Sequence, residues 1–222
     1  MKRTCIIATG NAHKAREIRQ ILGPHRVYFT LAELSGAPEV VEDADSFEGN
    51  ALKKARALAI WLNEGRAGEA LGESLSDAFV LTDDSGLEVD ALGGAPGVHS
   101  ARFAALDQPG HAGNASDAAN NEKLLRLLAQ VPDDRRDARF RCVLALVPVS
   151  GEGEARTFIG VCEGWIRREP RGDAGFGYDP LFMPKGRDAT FAELGEGEKN
   201  QISHRSRALT ALKHFLDSEG SV

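Results

Sequence analysis

Two adjacent carboxylates, Asp83 and Asp84, sit in LTDDSGLEVDALGGAPGVHSAR, Leu81 to Arg102, the segment densest in reactive side chains. An apolar strand predicted over Ala78 to Leu81 runs straight into them. Ser85 and Gly86 follow, then an alternating stretch from Leu87 to Leu92 and a glycine-rich turn from Gly93 to Gly97. Neighbouring aspartates at a strand end repel one another and are costly to bury. A chain keeps them there when a divalent cation or a proton transfer needs them. An ordinary polar turn is the alternative reading of the same residue types.

Four other stretches hold residues suited to phosphates, metals or bases. Thr9, Gly10, Asn11, Ala12, His13 and Lys14 form a predicted strand-to-helix turn, where unpaired N–H groups and the helix dipole favour a phosphate. It is not a Walker A loop, because the second glycine and the lysine–hydroxyl pair are missing. A capped helix with an exposed lysine reads equally well. Phe176, Gly177, Tyr178 and Asp179 lie in a glycine- and aromatic-rich loop from Gly172 to Pro184 that could offer a ring to a flat ligand or plug the core. Lys199, His204 and Arg205 cluster where the last helix is predicted to open, a placement against the helix dipole that suits an anion or a base edge. Glu42, before a helix capped by Ser46, is a solvated acid on its own; beside Asp83 and Asp84 it becomes a candidate magnesium ligand. Together these signals describe a nucleoside triphosphate pocket.

The elements that must position them alternate between helix and strand. The apolar spacing predicts a helix with Ala15, Ile18, Ile21 and Leu22 inward, stopped at Gly23-Pro24, and a second with Leu52, Ala55, Leu58, Ala59 and Leu62 inward. A third runs from Asp117 to Gln130 with Leu124, Leu125, Leu127 and Leu128. The last, from near Ser203, carries Leu209, Leu212, Phe215 and Leu216. Strands are expected at Thr4 to Thr9 and Val27 to Phe29. Two longer ones, Arg139 to Val149 and Arg156 to Ile166, form a hairpin through Ser150-Gly151-Glu152-Gly153. Asn63 to Asp77 and Leu106 to Ser116 read as loops, and Phe191 to Glu198 as a turn or short helix. The fold class is α/β with a mixed sheet.

Composition narrows the partners. The 222 residues carry a net charge of −6 and no basic run longer than two, which argues against nucleic-acid backbone as a ligand. The three cysteines, Cys5, Cys142 and Cys162, lack metal-ligand spacing and fall in apolar strand-like segments, as buried thiols of a reducing, cytoplasmic environment would. No secretory leader or membrane-length apolar run is expected.

Five motifs in order along the chain resemble those of the non-canonical purine nucleoside triphosphate pyrophosphatases, the inosine/xanthosine triphosphate group. They are TGNAHK from Thr9, E-x4-F-x2-NA-x2-KA from Glu42, TDDSGLEVDALGGAPGVHSAR from Thr82, FGYDPLF from Phe176 and K-x3-SHRSRAL from Lys199. The resemblance implies one two-lobed domain over residues 1–222, with a long bent mixed sheet, flanking helices, a cleft between lobes and a homodimer. It implies magnesium-dependent hydrolysis of inosine, deoxyinosine or xanthosine triphosphate to the monophosphate and pyrophosphate, clearing the nucleotide pool. By the same resemblance, Thr9 to Lys14 bind the triphosphate, Glu42 and Asp84 hold magnesium, and Asp84 accepts the proton of the attacking water. Ser85 touches substrate, Phe176 to Asp179 stack on and border the base, and Lys199, His204 and Arg205 read it. A pyrophosphatase for other modified nucleotides and a non-catalytic nucleotide sensor are the rival readings.

Overall fold

A computed structural model describes residues 4–24, 26–65, 75–107, 113–151 and 153–219. Six strands form one mixed sheet in the order β2-β1-β3-β4-β5-β6: β1 Thr4–Ile7, β2 Val27–Thr30, β3 Phe79–Val89, β4 Asp137–Pro148, β5 Arg156–Ile166 and β6 Phe182–Pro184. The helices are α1 Ala12–Leu22, α2 Phe47–Asn63, α3 Asp117–Leu127, α4 Phe191–Ile202 and α5 His204–Glu219. The expected α/β class with a mixed sheet is what the chain adopts. Among the described residues, no helix is long and apolar enough to cross a membrane.

Two compact units share the chain, the first made of Met1–Asp84, Cys142–Ile159 and Ala208–Val222, the second of Ser85–Arg141 and Gly160–Arg207. Because the backbone passes between them several times, there is no linker for a composition shift to mark.

In the first unit β1 pairs in parallel with both β2 and β3, with Ile7 opposite Thr30 and Leu81. α1 starts where Asn11 Oδ1 accepts from the His13 and Lys14 N–H groups at 2.9 and 3.2 Å, and it stops at Gly23. Ala15, Ile18 and Leu22 are buried with Leu209, Leu212 and Leu216 of α5 in one core. Full burial of an Ile or Leu contributes roughly 1.5–3 kcal/mol, so packing rather than propensity holds this short helix. α2 opens on Ser46, whose hydroxyl accepts from Gly49 N at 3.1 Å. Leu52 is only half-buried; Ala51 and Trp61 take the inward positions instead, a rotation of the apolar face.

The second unit closes over Leu87, Val89, Phe103, Leu124, Phe140 and Phe182, among others. Here α3 ends at Leu127, short of Gln130, and Leu127 points to solvent. Lys123 is buried, because its ammonium reaches Phe103 O and Asp107 Oδ1, each at 2.7 Å. The loop expected up to Pro184 ends in β6, which pairs antiparallel with β5. The turn or short helix expected over Phe191 to Glu198 is α4, which runs on to Ile202 through a kink at Gly195, φ 72°.

β3 departs most from expectation. It does not stop at the aspartates but continues through them to Val89. Successive strand residues face opposite ways, so Asp83 and Asp84 avoid each other, and each can find its own cation. The three cysteines are free and buried, as expected, and burial pushes the Cys5 and Cys162 thiols up to about 12 and about 11. Parts of three predicted loops, 66–74, 108–112 and Glu152, lie outside the described residues.

Candidate active site

In the first unit the acids and lysines interlock. Asp83, 3% exposed, accepts from Lys14 Nζ through Oδ1 at 2.5 Å and from Cys142 Sγ through Oδ2 at 3.3 Å. Lys54 Nζ donates to Glu42 Oε1 at 2.6 Å, to Asp84 Oδ1 at 3.2 Å and to the Asp83 carbonyl at 3.3 Å. Two carboxylates from distant stretches therefore converge on one ammonium. α2 is held in place for this by Thr82 Oγ1, which donates to Ala51 O at 2.8 Å. Asn50, fully buried, accepts from Ala44 N at 3.0 Å and so fixes the segment that carries Glu42.

The electrostatics of Lys54 and Asp84 run in different senses. Burial raises the Asp84 carboxyl above its ordinary range, Lys54 opposes this, and Glu42 adds to it. Burial pulls Lys54 down, but Asp84 and Glu42 together outweigh it, so Lys54 also ends above its ordinary value. One lysine is shared by two acids, so the lysine gains from both while the deeper acid is left short of positive charge. Asp84 Oδ2 is buried and has no donor among the described residues.

The chemistry of this donor set fits a magnesium ion. Among the described residues no three His, Cys, Asp or Glu side chains form a ready cage. Magnesium takes one or two carboxylates and completes its shell with water and phosphate oxygens. Glu42 and Asp84 already face a common cation in Lys54, and the orphaned Asp84 Oδ2 is an acceptor in want of a positive partner.

The α1 terminus is more closed than its composition suggests. Asn11 Oδ1 occupies two of the first-turn N–H groups, and Thr9 Oγ1 accepts from Asn11 N at 3.1 Å. Gly10 and Ala12 complete the turn; His13 is exposed, its Nδ1 3.3 Å from Arg16 Nη2.

The second unit assembles the remaining candidates. Lys199 Nζ donates to Asp179 Oδ2 at 2.6 Å, a buried pair, and Phe176 N donates to the same oxygen at 2.9 Å. Phe176 is half-buried, with Lys199 Nζ 4.7 Å from its ring centroid and Arg205 Cζ 5.8 Å away. Arg205 Nη2 donates to Ser85 Oγ at 3.0 Å. His204 stacks on Phe140 at 4.7 Å and 12°. Tyr178 turns the other way: its ring is 3% exposed in the core, its hydroxyl donates to Ser100 O at 2.9 Å, and burial raises the phenol. Of the two aromatics, Phe176 is the one a ligand can reach. Gly175 stands at φ +81°, and a Cβ there would collide with the Asp179 carboxylate. Lys199 lies in the last turn of α4 rather than at the opening of the last helix, which removes its conflict with the dipole; His204 and Arg205 do open α5.

The family model described as Ham1 family matches residues 5–215. The chain belongs to the Ham1 family. Among curated Ham1 relatives, the dITP/XTP pyrophosphatase of Opitutus terrae is 46% identical over 94% of this chain and 96% of its own. That of Bacillus subtilis is 44% identical over 96% of each. The HAM1 protein structure from Coxiella burnetii superposes with a TM-score of 0.78 at 36% identity, over 98% of this chain and all of its own. A nucleoside-triphosphatase / dITP/XTP pyrophosphatase structure from Mycobacterium abscessus gives a TM-score of 0.68 at 40% identity, over 94% and 98%.

Two side chains of this Ham1 chain enter the network without having been singled out in the sequence, Lys54 and Cys142. Lys54 had a signal: it is the lysine of NA-x2-KA, one helical turn after the buried Asn50 and so on a neighbouring face. Cys142 had none, because an apolar strand cysteine reads as core whether or not its thiol meets a carboxylate.

Proposed function

We propose that the chain hydrolyses non-canonical purine nucleoside triphosphates, inosine, deoxyinosine and xanthosine triphosphate, to the monophosphate and pyrophosphate. It is a hydrolase of phosphoric anhydrides that clears these nucleotides from the pool. The observation that carries this reading is Asp84, a buried carboxylate with a raised affinity for protons and one oxygen that no described residue satisfies. Such a group is poised to take a proton from water.

In the reaction, water attacks the α-phosphorus, its proton passes to Asp84, and the α–β bridging P–O bond breaks to release pyrophosphate. Lys14 and the Thr9–Asn11 turn bind the phosphate chain, Lys14 trading its contact with Asp83 for phosphate oxygens. Glu42 and Asp84 would hold a magnesium ion, whose chemistry there is to offset phosphate charge. Lys54 orients both carboxylates by donating to each.

At the other end of the substrate, Phe176 stacks on the purine, and the Arg205 and His204 donors meet the 6-carbonyl. Adenine carries an amino donor at that position and leaves them unsatisfied, a mismatch that can discriminate by up to ~10⁴. A cytoplasmic homodimer belongs to the same proposal, and sedimentation of the purified chain tests its stoichiometry. The deciding experiment is pyrophosphate release from a panel of nucleotides with and without magnesium. Release from inosine triphosphate but not from adenosine triphosphate is expected; equal release from both would reject the base assignment, and none from any would reject the activity.

A further inference from the structure

The loop that carries Phe176 is tied at Gly177 to α3. Gly177 N donates to Asp117 Oδ2 at 2.6 Å, and Gly177 O accepts from Asn121 Nδ2 at 2.9 Å. Asp117 and Asn121 are four residues apart on α3, hence on one face. Both polar groups of one loop residue are therefore taken by one helical turn. The N–H belongs to the peptide plane that follows Phe176, so fixing it fixes the backbone torsion that aims the ring.

α3 is itself a rigid support. Asn120 Oδ1 accepts from Ala104 N at 2.8 Å and its Nδ2 donates to Ala101 O at 3.2 Å, while Leu124 is wholly buried. Asn121 pays for its bond: donating through Nδ2 leaves Oδ1 buried with no donor among the described residues. A side chain that spends an acceptor this way is one whose donor matters. Helix capping does not explain the pair, because Ser116 caps α3, accepting from Ala119 N at 3.2 Å.

We infer that Asp117 and Asn121 are positioning residues that preset the base-stacking loop, so that α3 governs affinity for the purine without touching it. The inference rests on the nucleotide function proposed above and adds the residues that set its base affinity. A ring already aimed loses less freedom on binding than one on a free loop, and the advantage shows in KM.

The test compares wild type with Asp117→Ala, Asp117→Asn and Asn121→Ala in steady-state pyrophosphate release from inosine triphosphate. Amide hydrogen exchange at Gly177 and thermal unfolding are followed alongside. Asp117→Ala should raise KM about 5-fold with kcat retained, as losing one hydrogen bond does. Asp117→Asn, which keeps an acceptor, should restore KM, and Gly177 exchange should speed up in the alanine variants only. Faster exchange or a lower melting point with unchanged KM would make the pair merely structural and overturn the inference. A fall in kcat alone would do the same. A wild-type chain that releases no pyrophosphate would instead reject the function on which it rests.

Discussion

Lys54 Nζ meets Asp84 at Oδ1 only, 3.2 Å away, while its shorter bond, 2.6 Å, goes to Glu42. The buried acid thus has the weaker hold on the shared cation, and that asymmetry leaves Asp84 short of charge compensation.

A pH dependence of stability follows. The folded-state value of Asp84 lies above its ordinary one, so the folded chain binds this proton more tightly than the unfolded chain. Ionised Asp84 therefore costs stability above the unfolded-state value, and the cost is relieved as pH falls through the folded-state value. Asp84→Asn should melt higher than wild type at neutral pH, with the gap closing on acidification. Its turnover should fall by about 10²-fold or more with a smaller change in KM. Calorimetry across pH, with kinetics beside it, checks both; near wild-type kcat would remove Asp84 from the proton transfer.

Removing the shared cation should have the opposite sign. Lys54→Met leaves Glu42 and Asp84 facing each other, and the expected loss is about 2 kcal/mol, below the usual 3–5 for a fully buried pair because Glu42 is partly solvated. Urea unfolding reads this directly. A second substitution, Glu42→Gln, should recover part of it.

Lys14 and Asp83 form the tighter pair, with the aspartate side chain wholly buried. Lys14→Met should cost about 3 kcal/mol by stranding that carboxylate. The double variant with Asp83→Asn should cost less than the two single losses combined, a coupling that a double-mutant cycle measures. Additive losses would mean the pair does not interact in solution.

Arg205 lies beside Phe176 and Ser85. Arg205→Ala should erode the preference for inosine over adenosine triphosphate, read as the ratio of their kcat/KM values. An unchanged ratio would place base reading elsewhere.

Gly175→Ala is expected to destabilise by about 1–3 kcal/mol, since the residue sits at φ +81° and the new methyl strikes Asp179. Because Asp179 holds Lys199 and Phe176 N, base affinity should fall with stability. Comparison of KM with unfolding free energy separates the two effects.

Helix starts were plain in the chain: Ser46 caps α2 as read from its position before an apolar repeat. The candidate residues stand out in the chain as types in motifs, and Asp84, Glu42, Lys14 and Arg205 each fall in a polar network. Strand length was not legible at Asp83. Two acids read as a terminator when only local cost is considered, and lysines from α1 and α2 offset part of that cost. Leu127 points to solvent against its expected inward place, while Lys123 is buried on a carbonyl and a carboxylate supplied by another segment.

Periodicity and capping act over a few residues, so the chain alone dictates where α1, α2 and the β4–β5 pair form and which reactive side chains they carry. Partners are another matter. Lys14 and Asp83 stand 69 residues apart and Arg205 and Ser85 120 apart, and no local rule couples such positions. Whether Tyr178 or Phe176 stays partly exposed, and whether Lys54 joins Glu42 to Asp84, was settled by folding. Burial makes an unpaired charge costly, and only the assembled core determines which opposite charge lies within reach.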